Sequence, residues 1–313
     1  MVPRPSFLVG SAGRPPVSRI LLLGSRGRLG AALVRKWSGT HTVSAFSRQD
    51  IDVTDRAALL SLLERSDYDV LVNATGLTQV DRCESARDEA RDVNDRAPGI
   101  LARAAAARGA RLMHFSTDYV FDGRKTRPYV EEDPALPLGH YGATKLAGER
   151  KVLAASPDHL VVRVSWIFGP DKPGFVESVI AQAAASPHVE AIADKVSCPA
   201  FSEDIADWLE PFLTGLGGGL YHACNAGACT WQEYGRHALA CAAQSGVTLQ
   251  TTDIRGIRLA EMTSFSAPRP VQTAMSTEKL ASAIATAPRP WQDALAEYLA
   301  KKFTHAPILS PAP

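Results

Sequence analysis

The segment Gly24-Ser25-Arg26-Gly27-Arg28-Leu29-Gly30 constrains this chain more than any other. It stands directly after an apolar run of strand length, Arg19–Leu23, and opens an amphipathic stretch over Leu29–Trp37. A glycine triple alone marks little more than a tight turn. At a first strand-to-helix junction it does more. Glycines there let the backbone approach a pyrophosphate, whose charge meets the free N–H groups of the helix N-terminus. The placement therefore points to a dinucleotide.

The first half of the chain keeps the same rhythm. Thr42–Phe46 reads as a second strand, and Thr54 then reads as the N-cap of a helix over Asp55–Arg65. Val70–Asn73 is a third strand. A long helical segment follows from about Ser85 to Arg108, interrupted at Pro98 and stopped by Gly109. Arg111–Phe115 and Leu160–Val164 supply further strands, with a helix over Tyr141–Ala155 between them. Strands alternating with helices imply right-handed βαβ units and a parallel sheet. The expected class is α/β, a Rossmann-like doubly wound sheet.

After Trp166 the rhythm breaks, and prolines and glycines become frequent (Gly169-Pro170, Lys172-Pro173-Gly174). Helices remain readable at Phe175–Ala185, Ser202–Phe212, Trp231–Ala243 and Pro290–Lys301, and the run Gly215–Gly219 reads as a loop. The expected division is a dinucleotide-binding domain over 19–168 and a smaller mixed α/β C-terminal substrate domain over 169–313. Segments returning to the first domain are expected near 192–212. Residues 1–18, with four prolines, read as a disordered extension.

Composition excludes several partners. The 313 residues carry 34 basic and 33 acidic side chains, a net charge of +1, which argues for no nucleic-acid and no membrane-surface partner. No apolar run is long enough to span a bilayer, and Phe7-Leu8-Val9 is too short for the core of a signal peptide. The five cysteines (Cys83, Cys198, Cys224, Cys229, Cys241) form no C-x-x-C pair, so reduced, buried thiols in a cytoplasmic protein are expected. Cys224 and Cys229 lie near His222, but no second ligand pair follows at zinc-like spacing, and no metal site is expected.

Cofactor choice turns on the end of the second strand, where an acid about 20 residues after the glycines would bind a ribose 2′-hydroxyl. Here the strand ends Ala45-Phe46-Ser47-Arg48, without an acid. Arg48 and Arg26 are suited to a 2′-phosphate, which favours NADPH and leaves NADH open; solvated surface arginines are the plain alternative. Asp52-Val53 lies slightly further on, where an adenine amino group would be met.

Two segments carry the candidate chemistry. In Tyr141-Gly142-Ala143-Thr144-Lys145 a Tyr and a Lys four apart share one helical face. A phenol near pKa 10 is a poor acid–base group at neutral pH, and a neighbouring ammonium is expected to lower it. Ser116-Thr117-Asp118-Tyr119 follows the strand Arg111–Phe115. Hydroxyls at the carboxyl end of a parallel strand face the ligand crevice, where they can hydrogen-bond a carbonyl oxygen.

These residues resemble the dTDP-4-dehydrorhamnose reductase family, within the extended short-chain dehydrogenases. A spacing of three between glycines is itself the variant typical of short-chain dehydrogenases. Ser116–Gly123 (STDYVFDG) matches that family's run without a mismatch, and Tyr141–Glu149 (YGATKLAGE) matches its YGxTKxxGE. Arg163-Val164-Ser165-Trp166, Val72-Asn73-Ala74 with Val80-Asp81 and Glu84, and Tyr221-His222 with Thr230-Trp231 are similar to further segments of it. The resemblance runs from about Arg19 to Tyr298, strongest before Phe168.

It implies that Thr117, Tyr141 and Lys145 are catalytic, with Tyr141 as proton donor to a C4 oxygen. Thr117, Asp118, Tyr119 and Trp166 would contact the sugar nucleotide. Gly27, Arg28, Leu29, Asp52, Val53, Ala74, Thr75 and Gly76 would line the cofactor beside Gly24, Gly30 and Ser116, with Tyr141 and Lys145 reaching it too. Asn94 resembles the helix asparagine of the wider superfamily. A magnesium ion, used by some members, and a homodimer come from the resemblance alone. The implied reaction is NADPH-dependent reduction of the C4 keto group of a nucleotide-linked 6-deoxy sugar, dTDP-4-dehydro-L-rhamnose to dTDP-L-rhamnose.

Two departures stand out. Thr75-Gly76-Leu77 replaces the usual Ala-Ala-Tyr, and Asp194-Lys195-Val196-Ser197-Cys198-Pro199-Ala200 replaces Asp-Gln-x-Gly-x-Pro-Thr, on the substrate side. They leave the sugar more open than the chemistry. Two other readings keep the fold: an epimerase or dehydratase with tightly held NAD, and a non-catalytic sugar-nucleotide-binding regulatory subunit. Retention of both Tyr141 and Lys145 weighs against the second.

Overall fold

The computed structural model describes residues 17–304. The expected extension lies outside the described residues except at Val17 and Ser18. Ser18 is buried, its hydroxyl donating to the Leu213 carbonyl at 2.9 Å.

The core of the fold is a six-stranded sheet whose strands are β1 (Arg19–Leu23), β2 (Thr42–Phe46), β3 (Val70–Asn73), β4 (Arg111–Thr117), β5 (Leu160–Val164) and β10 (Gly219–Ala223). Its order is β2-β1-β3-β4-β5-β10, and every pair is parallel. Strand side chains alternate faces. Ile20 and Leu22 of β1 therefore join a core with Leu33 and Trp37 of α1 (Arg28–Trp37) and Leu209 of α8 (Ser202–Leu213). Leu21 and Leu23 point the other way, to Leu59 and Leu63 of α2 (Arg56–Arg65) and Leu101 of α5 (Ala97–Ala107). Burying a strand on both faces explains why β1 and β3 are continuous apolar runs. The result is an α/β, doubly wound, Rossmann-like fold. Its strand order reverses between β1 and β3, and a crevice opens at their carboxyl ends.

Local chemistry shifts two expected boundaries. The cap of α2 is Asp55, whose extended backbone lets its carboxylate accept from the Ala58 N–H at 3.0 Å. Thr54 instead donates its hydroxyl to Asp52 at 2.8 Å. The long segment after β3 begins earlier than expected, with α3 (Val80–Ser85) and α4 (Arg87–Arg91). It is not broken at Pro98: a π-helical turn over Asp92–Arg96 leads from α4 straight into α5, with Pro98 in its first turn. A proline has no N–H to give and crowds the carbonyl four residues back. The wider turn accommodates both.

The remaining elements form a smaller mixed unit. It contains β6 (Ile167–Phe168) paired with β9 (Ala200–Phe201), β7 (Glu190–Ile192) with β12 (Arg255–Ile257), and β8 (Val196–Ser197) with β11 (Cys229–Thr230). The helices α7 (Phe175–Ala185), α9 (Trp231–Gln244) and α11 (Trp291–Thr304) enclose a core rich in aromatic rings, among them Phe168, Phe201, Tyr234, Trp291 and Tyr298. The chain returns to the first unit twice. Helix α8 packs on α1, where the Trp37 indole donates to the Ala206 carbonyl at 3.0 Å, and β10 extends the sheet beside β5. A short helix, α10 (Glu278–Ile284), covers β10. All five cysteines are free and buried, and no helix among the described residues is long and apolar enough to cross a membrane.

Candidate active site

The turn after β1 is built for close approach. Gly24 has φ +90°, a left-handed conformation that favours glycine, and a Cβ there would lie 2.7 Å from the Ala74 carbonyl group. A Cβ on Gly30 would collide with the Gly24 carbonyl oxygen, so this glycine lets α1 start tight against the turn. Gly24 and Ser25 are tied to the end of β2 by N–H bonds to the Phe46 carbonyl at 2.8 and 3.0 Å. The N-terminus of α1 carries no side-chain cap.

Two adjoining clefts open at the carboxyl ends of the strands. One, of about 250 Å³, runs past Gly24, Arg26, Arg48, Asp52 and Val53. The other, of about 550 Å³, holds Ser116, Thr117, Asp118, Tyr119, Tyr141, Lys145 and Trp166. Gly27, Ala74, Thr75, Gly76 and Lys172 line both, so the two clefts are one trough with a junction at these residues. Every residue expected at the cofactor or substrate lines the trough except Gly30, whose part is in the turn beneath it.

In the larger cleft the Tyr141 ring is buried and meets Tyr119 edge-on at 5.6 Å. Burial pushes the Tyr141 phenol above its ordinary value; the Thr117 hydroxyl pulls it down and the Asp118 carboxylate pushes it up. The expected lowering by Lys145 does not prevail. The ammonium is turned to the Phe115 carbonyl at 2.6 Å, and burial brings the lysine itself down to about 8. Thr117 donates to Asp118 Oδ1 at 3.1 Å, and Ser165 donates to Asp118 Oδ2 at 3.0 Å. The arrangement holds a neutral phenol, able to give a proton, beside a hydroxyl whose partner is a buried carboxylate.

The trough fits a dinucleotide. Glycine at 24 lets the turn pack directly on the Ala74–Thr75 backbone that lines the trough, and the Ser116 hydroxyl is buried at the cleft without a partner. At the opposite end Arg26 is hydrogen-bonded to Gln49, while Arg48 is exposed and 3.7 Å from Glu89. A phosphate at this end would take the two arginines over from Gln49 and Glu89, and Asp52 spends one carboxylate oxygen on Thr54. Asn94 does not line the trough. It is fully buried, and its side-chain amide accepts from Leu77 N and donates to Leu77 O, fixing the loop after β3. A magnesium ion finds no such fit: among the described residues no three His, Cys, Asp or Glu side chains converge as ligands. His222 instead lies under Phe121, its Nδ1 3.2 Å from the Ser276 carbonyl.

Three contributors escape the sequence reading. Asn73 at the end of β3 accepts from the N–H and hydroxyl of Thr75 and pairs with the buried His114, so it shapes the trough floor. Glu89 enters the adenosine end from α4, and Lys172 overhangs the junction from the second unit. Neither has a local signal, because each is brought in by the path of the chain.

Comparison with known proteins places these features among relatives. The family described as RmlD substrate binding domain matches residues 18–303. The dTDP-4-dehydrorhamnose reductase of Mycobacterium tuberculosis is 36% identical over 296 residues, which are 92% of this chain and 94% of the relative. The protein of that name from Mycolicibacterium smegmatis is 35% identical over 286 residues, 90% of this chain and 85% of its own length. Among solved structures, a dTDP-4-dehydrorhamnose reductase from Clostridium acetobutylicum superposes with a TM-score of 0.82 at 28% identity, over 90% of this chain and 98% of that one. One from Bacillus anthracis, solved in complex with NADP, shares the fold with a TM-score of 0.84 at 23% identity, over 91% of this chain and all of that one.

Proposed function

The chain belongs to the RmlD substrate binding domain family, an oxidoreductase lineage, and from that membership we propose that it reduces the C4 keto group of dTDP-4-dehydro-L-rhamnose to give dTDP-L-rhamnose, with NADPH as reductant. The carrying observation is the convergence of Thr117, Tyr141 and Lys145 on one wall of a trough whose other end is a glycine turn with two arginines.

A bound reduced nicotinamide supplies the hydride. The residues of this chain do the rest. The glycine turn and the N-terminus of α1 hold the diphosphate, and Arg26 and Arg48 favour a 2′-phosphate at the adenosine end. Ser116 and Lys145 orient the nicotinamide half from the side of β4 and α6 (His140–Ala155). Tyr141 gives its phenolic proton to the C4 oxygen, a role served by the burial that keeps the phenol protonated. Thr117 hydrogen-bonds the same oxygen, and Asp118 holds the Thr117 hydroxyl in place. Tyr119 and Trp166 wall the sugar and exclude water.

Purified protein offered dTDP-4-keto-6-deoxy-L-mannose is expected to consume the absorbance of NADPH faster than that of NADH. Tyr141→Phe is expected to lower kcat by roughly 10²- to 10⁴-fold while leaving the Kd for NADPH unchanged. No consumption of either reduced nucleotide by the unaltered protein would refute the reading.

A further inference from the structure

The loop between β6 and α7 is fastened to α1 by two arginines, Arg28 and Arg35, two turns apart on the same helical face. The Arg28 guanidinium donates to three backbone carbonyls, that of Ile167 in β6 at 2.9 Å and those of Lys172 and Pro173 in the loop at 3.2 and 2.9 Å. Arg35 grips Asp171 with both terminal nitrogens, at 2.7 and 3.2 Å. Just ahead of β6 stands Trp166, a non-glycine residue at φ +43°, a strained backbone that neighbouring contacts must hold in place. Arg28 therefore commits each of its three guanidinium nitrogens to a protein carbonyl. It lines the trough but acts as a latch on the strap formed by residues 167–173.

That strap delivers Lys172 to the junction of the two clefts. The other residues lining both clefts, Gly27, Ala74, Thr75 and Gly76, lie on the sheet side. Lys172 comes from the strap between β6 and α7, in the second unit. Its ammonium has no carboxylate within ion-pair distance among the described residues, whereas the neighbouring Asp171 is committed to Arg35. A dinucleotide laid along the trough puts its adenosine in one cleft and its nicotinamide in the other. Its diphosphate must then cross the junction.

We propose that Lys172 is a cofactor-binding residue, the cation that closes over the diphosphate from the second unit, with Arg28 as the positioning residue that sets its backbone. The glycine turn and the N-terminus of α1 face one side of the diphosphate, and Lys172 the other. Because Arg28 and Arg35 stand on the helix that itself receives the phosphate, helix and strap approach the ligand as one piece. The inference rests on the dinucleotide reading above.

Titration of the protein with NADPH and with NADH, followed by nicotinamide fluorescence, tests it without turnover. Lys172→Gln is expected to raise both Kd values by the same factor, roughly three- to tenfold, and to flatten their dependence on salt; Lys172→Arg is expected to stay within about twofold of the unaltered protein. Arg48→Ala is expected to weaken NADPH alone. In an Arg28→Gln background, Lys172→Gln is expected to add less than about twofold, since the lysine is no longer held. Unchanged Kd values in Lys172→Gln overturn the proposal, as does a rise confined to NADPH, which would seat the lysine at the 2′-phosphate. A full additive effect of the two substitutions removes the latch role of Arg28. Failure of the unaltered protein to bind either nucleotide refutes the dinucleotide reading, and this inference with it.

Discussion

Tyr141 and Lys145 show how burial and charge compete at single residues. Spacing puts the two on one helical face, and that much is legible because a phenol and an ammonium four apart are what the chemistry calls for. Which of them wins the electrostatics is not legible, since it depends on how deeply α6 is packed against β4. Lys145 is 3% exposed, and desolvation brings it to about 8 although Glu149 opposes the shift. The folded protein therefore gives up a proton that the unfolded chain keeps up to about 10.5. The resulting penalty on stability is complete below about pH 8 and is relieved as pH rises through that window. Compared with Lys145→Met, the unaltered protein is expected to gain up to about 3 kcal/mol between pH 8 and 10.5, measured by urea unfolding. A difference that stays flat across this range would contradict the burial argument. Lys172 and Glu89 mark the limit of residue-level reading, for their neighbours in sequence say nothing of the trough they enter.

At the scale of elements, strands buried on both faces are the easiest to read. Arg19–Leu23, Val70–Asn73 and Leu160–Val164 appear in the structure with the bounds that their composition implies, and so does the exposed edge strand Thr42–Phe46. Strand β10 escapes because the glycine-rich run Gly215–Gly219 that leads into it reads as loop, and Gly219, Leu220 and Tyr221 are only half-buried. The π-helical turn escapes because proline signals interruption without saying whether a helix ends or widens. Its consequence is local and testable. The turn carries Asn94, whose side chain pairs with both the N–H and the carbonyl of Leu77. Asn94→Ala leaves the Leu77 N–H without a partner. It is expected to cost about 1–3 kcal/mol in urea unfolding and to speed hydrogen exchange at the Leu77 amide. Unaltered exchange there would show that the loop after β3 is held by something else.

In the whole molecule the trough lies between two units that the chain crosses repeatedly. Asp81 of α3 accepts from the Ser266 and Ala267 N–H groups at 2.8 and 2.9 Å and pairs with Arg269, tying the last third of the chain to the first. The change of rhythm after Trp166 is legible in the sequence. The crossings are not, because they depend on contacts between residues far apart in sequence. A ligand that touches both units stabilises both. NADPH at about 100 times its Kd is expected to add about 2.7 kcal/mol, which raises Tm by about 4 °C. Under the same conditions Lys172→Gln is expected to show a smaller rise at equal nucleotide concentration. A calorimetric trace with two separate transitions, only one of them moved by NADPH, would show that the units melt independently.

The late arrival of β10 bears on how the protein is made. A nascent chain that has left the ribosome only as far as α8 already owns β5 but not the strand that covers its outer side. Until Gly219–Ala223 emerges, the N–H and C=O groups along that side of β5 face solvent as a ready template for pairing with another chain. Shielding of this one margin by chaperones, or slow translation past residue 213, would decide how much of each polypeptide reaches the folded state.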